Sequence, residues 1–185
     1  MANSVLRSVL IPYQDRRPML HDTVFVADTA RIIGDVEIGE ETGIWFGCVI
    51  RGDVNHIRIG SRTNIQDGTT IHVTGGGHPT IIGDDITIGH MALLHACTLE
   101  DGAFVGMKAC VMDGAVVESG AMVAAGALVT NNKRIPSGQL WGGSPARYMR
   151  DLTQDERDYI PVSARKYADL AAYYRRGSGA PESDG

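Results

Sequence analysis

The chain has 185 residues, a net charge of −5 and 43% hydrophobic residues, which is enough for one domain with its own core and excludes a wholly disordered chain. The basic residues form no cluster, so nucleic acid is not an expected partner. There is no apolar run of about 18 residues, and residues 1–22 lack the apolar stretch of a signal peptide. We therefore expect a cytoplasmic protein without a membrane partner.

Aliphatic residues recur six positions apart along most of the chain. They are Val26, Ile32, Ile38, Ile44 and Ile50, then Ile59, Ile65 and Ile71, then Ile82, Ile88 and Leu94, and, after a slip of one residue, Leu99, Val105, Val111, Val117, Val123 and Val129. A period of six matches neither an amphipathic helix nor an ordinary strand. It predicts a coil of short strands, with three hexapeptides in each turn of about 18 residues and turns stacked at about 4.8 Å.

Small residues stand two positions before several of these aliphatic residues. Most are alanines, but Cys48 and Cys97 occupy the equivalent position before Ile50 and Leu99. We predict that both cysteines are buried and reduced. The chain has three cysteines without CxxC spacing, which argues against a disulfide framework or a cysteine-based zinc site.

Two insertions interrupt the coil, and insertions in a solenoid become loops that often carry function. Three extra residues lie between Ile50 and Ile59, and five extra residues lie between Ile71 and Ile82. After the repeat, residues 151–176 predict a helix that is broken or restarted at Pro161, because proline cannot donate the helical hydrogen bond.

The predicted organisation follows the extent of the repeat. Residues 1–20 form an N-terminal segment, 21–140 the β-helix domain, 141–176 a linker and helix, and 177–185 a disordered tail. The apolar residues of the helix are predicted to lie along the side of the coil. They are Tyr159, Ile160, Tyr167, Leu170, Ala171 and Tyr174.

Three of the six histidines have a register that points to a metal ion. His72 follows Ile71, and His95 follows Leu94, so the two imidazoles stack on adjacent turns if the five-residue insertion loops out. His90 is predicted at a corner, where it reaches the pair of a neighbouring chain instead. Three imidazoles and an open fourth position are typical of catalytic zinc, although Co²⁺ or Fe²⁺ would suit the same ligands.

The residues Arg51-Gly52-Asp53, Asn64-Ile65-Gln66-Asp67-Gly68, Ile71-His72-Val73 and Gly89 to His95 resemble the γ-class carbonic anhydrase family, including its smaller bacterial members. The similarity covers about 5–175. It implies a left-handed parallel β-helix, a homotrimer, and metal sites between subunits, with His72 and His95 from one chain and His90 from the next. It also implies reversible hydration of CO2 to bicarbonate by metal-bound hydroxide.

The resemblance suggests roles for six further residues. Gln66 would lie beside the metal-bound oxygen, and Arg51 and Asp53 would pair near the subunit boundary, unless they form a purely structural ion pair. Asn64 and Asp67 match the motif but also suit a turn. Tyr167 matches a tyrosine of the smaller members and would line the site, unless it serves only structural packing.

This chain departs from the family archetype where that archetype carries proton-transferring glutamates. Val54 stands after the Arg-Gly-Asp motif, and residues 74–80 contain no carboxylate. His78 lies within this segment and is a candidate proton shuttle, since histidine is the side chain that ordinarily changes charge near neutral pH. We therefore predict an intact metal site, but the sequence gives no ground to expect fast CO2 hydration at it.

Three other functions fit the sequence. The same metal site can serve a thioesterase acting on coenzyme A esters. A hexapeptide acyltransferase would use one histidine as general base without a metal, although it would not need three stacked histidines. A non-catalytic trimeric scaffold would retain the ligands for stability alone.

Overall fold

The computed structural model describes residues 9–177. Residues 1–8 of the predicted N-terminal segment, and all of the predicted tail except Gly177, lie outside the described residues. Within 9–177, no helix has the length and apolarity needed to cross a membrane.

The strands form three faces of a coil of about seven turns. Face A contains Leu10–Ile11 (β1), the first halves of Arg31–Ile38 (β4) and Val49–Ile59 (β6), Thr70–His72 (β8), Leu93–His95 (β11), Cys110–Val111 (β14) and Leu128–Val129 (β17). Face B contains Met19–Leu20 (β2), the second halves of β4 and β6, Thr80–Ile82 (β9), Thr98–Leu99 (β12), Val116–Val117 (β15) and Arg134–Ile135 (β18).

The third face is a separate sheet. Face C contains Phe25–Val26 (β3), Gly43–Ile44 (β5), Asn64–Ile65 (β7), Thr87–Ile88 (β10), Phe104–Val105 (β13), Met122–Val123 (β16), Gln139–Gly142 (β19) and Arg147–Asp151 (β20). Its pairs are parallel except for β20, which runs antiparallel to β19 and ends the sheet. One helix, α1, spans Gln154–Arg175. The predicted parallel β-helix of hexapeptide repeats with a C-terminal helix is therefore confirmed.

The repeat sets the register of the stacked turns. Val111 pairs with Val129 at a separation of 18 residues, and Leu94 pairs with Val111 at 17, which matches the slip seen in the sequence. One aliphatic side chain per hexapeptide is buried in the centre of the coil, where Ile44, Ile65 and Ile88 have no exposed surface. Each turn thus buries its apolar residues directly against those of the next turn.

Both predicted insertions leave the stacked core undisturbed. Between Gly34 and Val36 the strand β4 advances two residues, whereas its partner β6 advances five from Gly52 to Ile57, so three residues bulge outward. Gly52 is required at this bulge, because an added Cβ would lie 2.5 Å from the Asp35 carbonyl oxygen. The second insertion occupies 73–79, between β8 and β9.

The helix differs from its prediction at its start and at Pro161. It begins at Gln154 instead of residue 151, because residues 147–151 form β20 and Thr153 caps the helix. It continues through Pro161 without a break. Ile160 and Ala164, on either side of that proline, are buried, so packing against the coil outweighs the one missing hydrogen bond.

The predicted apolar side of the helix is only partly correct. Ile160 and Ala171 are buried, and Tyr167 packs edge-on against Trp45. By contrast, Tyr159 is 52% exposed and Leu170 is 40% exposed. These two residues are therefore not part of the buried side of the helix.

Candidate metal centre

Two histidines meet on face A in the register that the sequence predicts. Leu94 is the Cα partner of Ile71, and His95 is the Cα partner of His72. The imidazole nitrogens His72 Nδ1 and His95 Nε2 lie 3.2 Å apart. The two rings are partly buried, with side-chain exposures of 20% for His72 and 27% for His95.

Each of these imidazoles has a carboxylate on its other nitrogen. His72 Nε2 lies 3.0 Å from Asp53 Oδ1, and His95 Nδ1 lies 2.7 Å from Asp113 Oδ1. An ionised carboxylate only accepts hydrogen bonds, so it places the ring proton on the nitrogen that faces it. In the neutral rings, the two nitrogens that face each other therefore carry lone pairs.

The two carboxyl groups are held in the ionised form. The hydrogen bond from Thr74 lowers the pKa of Asp113 below its ordinary value, and the hydrogen bond from His95 adds to this effect, while burial opposes it. Burial also works to raise the pKa of Asp53, but hydrogen bonds from His72 and Arg51 outweigh it, so this pKa is lowered as well. Both carboxylates thus remain acceptors at neutral pH.

The donor set fits a metal ion. Two lone pairs at 3.2 Å repel each other unless a cation lies between them. Two nitrogens bound to one zinc ion at about 2.0–2.1 Å in tetrahedral geometry are separated by about 3.3 Å. Within residues 9–177 of a single chain, no group of three His, Cys, Asp or Glu side chains converges to hold a metal. A three-ligand site built on this pair would therefore need a ligand from outside the described residues of one chain.

His90 lies at a different corner of the coil. It occupies the turn between β10 and β11, at the end of face A opposite to His95. His90 Nδ1 lies 2.8 Å from Asp67 Oδ2, and both side chains are more than 40% exposed. The structure therefore does not bring His90 to His72 and His95 within one chain, in agreement with the corner position expected from the sequence.

Gln66 lies beside this corner and is held by a chain of buried polar groups. Its Nε2 donates to Asn64 Oδ1 at 3.1 Å, and Asn64 Nδ2 donates to Thr87 Oγ1 at 2.9 Å. Thr87 Oγ1 in turn lies 3.0 Å from the hydroxyl of Ser163 on α1. Asn64 is 1% exposed and Gln66 is 4% exposed. Asn64 thus fixes which way the Gln66 amide faces.

Gln66 and Tyr167 line the same cavity of about 320 Å³ between α1 and face C. Apolar side chains, among them Phe104, Met107 and Met122, form most of its wall. Burial raises the pKa of the Tyr167 phenol, and the nearby Tyr159 and Asp67 add to this effect. Tyr167 is therefore neutral near the corner that carries His90.

Arg51 and Asp53 form an ion pair within one chain. The Arg51 guanidinium bonds Asp53 Oδ2, while the other carboxylate oxygen accepts from His72. Arg51 is 43% exposed, whereas Asp53 is 15% exposed. The ion pair therefore connects the surface of face A to the back of the His72 ring.

Comparison with known proteins identifies relatives over most of the chain, although no family model matches it. The chain is 56% identical over 162 residues to gamma carbonic anhydrase 2, a mitochondrial protein of Arabidopsis thaliana; the match covers 85% of this chain and 58% of that relative, less than two thirds of its length. It is 40% identical to the carbonic anhydrase of Geobacillus kaustophilus, with 90% of this chain and 91% of that protein covered. The chain belongs to the γ-class carbonic anhydrase family.

A solved structure shows the same fold at high identity. The crystal structure of a hexapeptide transferase family protein from Anaplasma phagocytophilum matches this γ-class member with a TM-score of 0.88 and 49% identity. The match covers 91% of this chain and 99% of that one. The two proteins therefore share their fold over most of this chain.

The second insertion of this γ-class member contains no carboxylate of its own. Val54 is 52% exposed and lies against Gly75 of that loop. His78 is exposed, and its Nε2 would lie 3.2 Å from a Cβ at Gly114. This places an imidazole next to the Asp113–Gly114 turn, on the same side of the coil as the histidine pair.

Sequence reasoning missed Asp113 and Thr74. Asp113 follows Val111, which stacks on Leu94, so the 17-residue offset between those turns was available as a signal. The offset alone does not show that the carboxylate of Asp113, two positions after Val111, contacts His95. That contact depends on side-chain direction at the end of the strand.

Proposed function

We propose that this chain is a metal-dependent carbonic anhydrase that hydrates CO2 reversibly to bicarbonate at sites shared between the subunits of a homotrimer. The observation that carries the proposal is the pair of lone-pair nitrogens of His72 and His95, 3.2 Å apart, with both tautomers set by carboxylates. Membership of the γ class supports the reaction, since relatives that match most of this chain are named for it.

The third ligand comes from a second copy of the chain. His90 lies at the corner of the coil opposite to His72 and His95. Each chain therefore carries two ligands of one site at one edge and the third ligand of another site at the other edge. A cyclic assembly repeats one such contact at every interface and completes every site. We propose Zn²⁺ as the ion, with Co²⁺ and Fe²⁺ as alternatives that the same imidazoles accept.

A metal ion with three imidazole ligands lowers the pKa of its bound water to about 7 and so supplies hydroxide at neutral pH. The residues of this chain then orient the reactants. Because Asn64 fixes the Gln66 amide, that side chain can present a constant donor or acceptor to the oxygen atoms of CO2 or bicarbonate. Arg51 is joined to the His72 ring through Asp53, so its positive charge would attract bicarbonate to this side of the pair.

Proton release needs a group that reaches solvent. Asp53 is fully engaged by Arg51 and His72, and residues 74–80 supply no carboxylate. The exposed His78 is therefore our proposed carrier, assisted by buffer. We therefore expect the turnover rate of CO2 hydration to increase with buffer concentration.

Stopped-flow CO2 hydration on protein of known metal content tests the proposal. We expect activity in the wild type and a loss to background in His95→Ala, because one ligand of the pair is removed. His21→Ala is the matched control, since His21 is exposed and bonds Thr23 instead of a metal-site residue. Metal-replete wild type without activity above background would overturn the proposal.

Thioester hydrolysis is a second candidate, favoured by the apolar cavity beside Gln66. A volume of about 320 Å³ exceeds what CO2 requires and suits a short acyl group. Hydrolysis of acyl-coenzyme A esters of increasing chain length separates the two reactions. If Met107→Trp abolishes thioester hydrolysis while CO2 hydration persists, the cavity serves the thioester.

A further inference from the structure

Asp113 connects the second insertion to the histidine pair. Its Oδ1 accepts a hydrogen bond from His95 Nδ1 at 2.7 Å, and its Oδ2 accepts one from the Thr74 hydroxyl. Both oxygens of the carboxylate are therefore engaged, one by the imidazole and one by the loop. Asp113 lies in the turn after β14, one coil turn beyond His95.

The loop that carries Thr74 is itself held in place. Asn55, from the first insertion, donates through Nδ2 to the Thr74 carbonyl at 3.2 Å and to the Gly77 carbonyl at 3.1 Å. At the end of the loop, the Thr80 hydroxyl donates to the His72 carbonyl at 2.7 Å. The two insertions thus support each other, and the second one is bonded close to both histidines.

We infer that Asp113 is a positioning residue for His95, and that Thr74 positions Asp113, so that the insertion loop sets the ring orientation and tautomer of a metal ligand. This inference rests on the proposed function. An imidazole with a fixed acceptor on Nδ1 keeps its proton there and presents Nε2 as a lone pair. Without Asp113, the ring can rotate and the proton can move to the nitrogen that should bind the metal.

Nitrogen NMR of histidine-labelled, metal-free protein tests the tautomer directly. We expect His95 to be the Nδ1–H tautomer in the wild type and a mixture of tautomers in Asp113→Ala. Asp113→Asn retains an acceptor oxygen and should restore the Nδ1–H form. Thr74→Val, which removes one hydroxyl at nearly constant volume, should give an intermediate mixture and keeps the test available if Asp113→Ala does not fold.

Competition with a chelator for Co²⁺ or Zn²⁺ gives a second readout that needs no turnover. Substitution of groups that hydrogen-bond metal ligands typically weakens metal binding about 10–100-fold. We expect a loss in this range for Asp113→Ala and a smaller one for Thr74→Val. Glu118→Gln is the matched control: this carboxylate bonds Arg134 and Ser137 on the same coil, and its loss should leave metal affinity unchanged.

The outcomes separate this inference from the proposed function. A wild-type His95 in the Nε2–H tautomer, or an unchanged tautomer and metal affinity in folded Asp113→Ala and Thr74→Val, would overturn it. If the variants behave as expected but the wild type hydrates no CO2, the positioning role stands and the proposed reaction fails.

Discussion

Cys48 and Cys97 show how a position in the repeat decides the chemistry of a side chain. Both occupy the small-residue corner position and are buried, with exposures of 0% and 1%. Burial raises the pKa of the Cys48 thiol to about 11 and that of the Cys97 thiol to about 12. Since the thiolate is the reactive form, these two cysteines are chemically inert in the folded protein.

We therefore predict that iodoacetamide at pH 8 leaves Cys48 and Cys97 unmodified, while the partly exposed Cys110 reacts first. All three should react once the chain is unfolded in urea, because burial is then lost. Mass spectrometry of tryptic peptides measures the extent at each site. Labelling of Cys48 or Cys97 as fast as Cys110 in the native protein would contradict this assignment.

Among the candidate site residues, those placed by the repeat were predictable and those placed by side-chain direction were not. The stacking of His72 and His95 follows from counting hexapeptides, because the aliphatic residues before them must share the core. The contact between Asp113 and His95 does not follow from counting. It requires a carboxylate to reach diagonally between neighbouring turns of the coil.

The start of the helix α1 is fixed by local hydrogen bonds between a few neighbouring residues. Thr153 accepts a hydrogen bond from the Glu156 amide, and the Glu156 carboxylate accepts one from the Thr153 amide at 2.9 Å, which forms a capping box. Arg150, on β20, donates two further hydrogen bonds to Glu156, at 2.7 and 2.8 Å. The start of the helix is thereby joined to the last strand of face C.

These bonds predict a pH-dependent contribution of Glu156 to stability. The hydrogen bonds from Arg150 and then from the Thr153 amide lower its pKa from 4.5 to about 2. Because the folded-state pKa is the lower one, the stabilisation is complete above pH 4.5 and is lost as pH falls through about 2. We expect Glu156→Gln to lower the melting temperature at pH 7, and the difference from wild type to shrink progressively below pH 4.5.

Thermal denaturation followed by circular dichroism at several pH values measures this difference. Asp158→Asn is the control, because the asparagine retains an oxygen that accepts from Gln154 on the same helix. Equal effects of the two substitutions on the melting temperature at pH 7, or a Glu156→Gln effect independent of pH, would show that the capping hydrogen bonds are not the source of the stabilisation.

Pro161 and β20 show where element prediction from sequence fails. Proline removes one helical donor, a local effect that predicts a break, but burial of Ile160 and Ala164 stabilises the uninterrupted helix. Residues 147–151 have no repeat pattern, yet pair with β19 because the exposed edge of the last face C strand is available to them. Both outcomes depend on the coil being present.

At the scale of the whole molecule, the three candidate metal ligands lie at two separate edges of the coil. One edge has the pair His72 and His95 on face A, and the other has His90 at the corner next to Gln66. In the homotrimer that we propose, a closed ring of three chains would complete three sites, each with ligands from two chains. Two chains that lack different ligands can therefore still form an intact site at the interface where neither missing ligand is needed.

Mixing defective chains tests this arrangement. We expect His90→Ala and His95→Ala each to lack metal sites alone, and an equal mixture refolded together to recover about one quarter of the wild-type sites. Random assembly makes about three quarters of the trimers mixed, and each mixed ring has about one intact interface in three. Metal content per chain and CO2 hydration are the measurements.

The matched control mixes His72→Ala with His95→Ala. These two residues lie on the same face, so no interface between such chains is intact and nothing should be recovered. Recovery in the control, or no recovery in the first mixture although both variants assemble, would contradict a site shared between His90 and the pair.

By itself, the sequence determined the coil and the stacking of the histidine pair, because a six-residue period leaves only one register that buries every aliphatic residue. Only the tertiary structure decided that Asp113 accepts a hydrogen bond from His95 and another from Thr74. It also decided that Asn64 orients the Gln66 amide and that the helix continues through Pro161. These contacts join residues far apart in the chain. They depend on side-chain direction and on packing between elements, neither of which the sequence periodicity specifies.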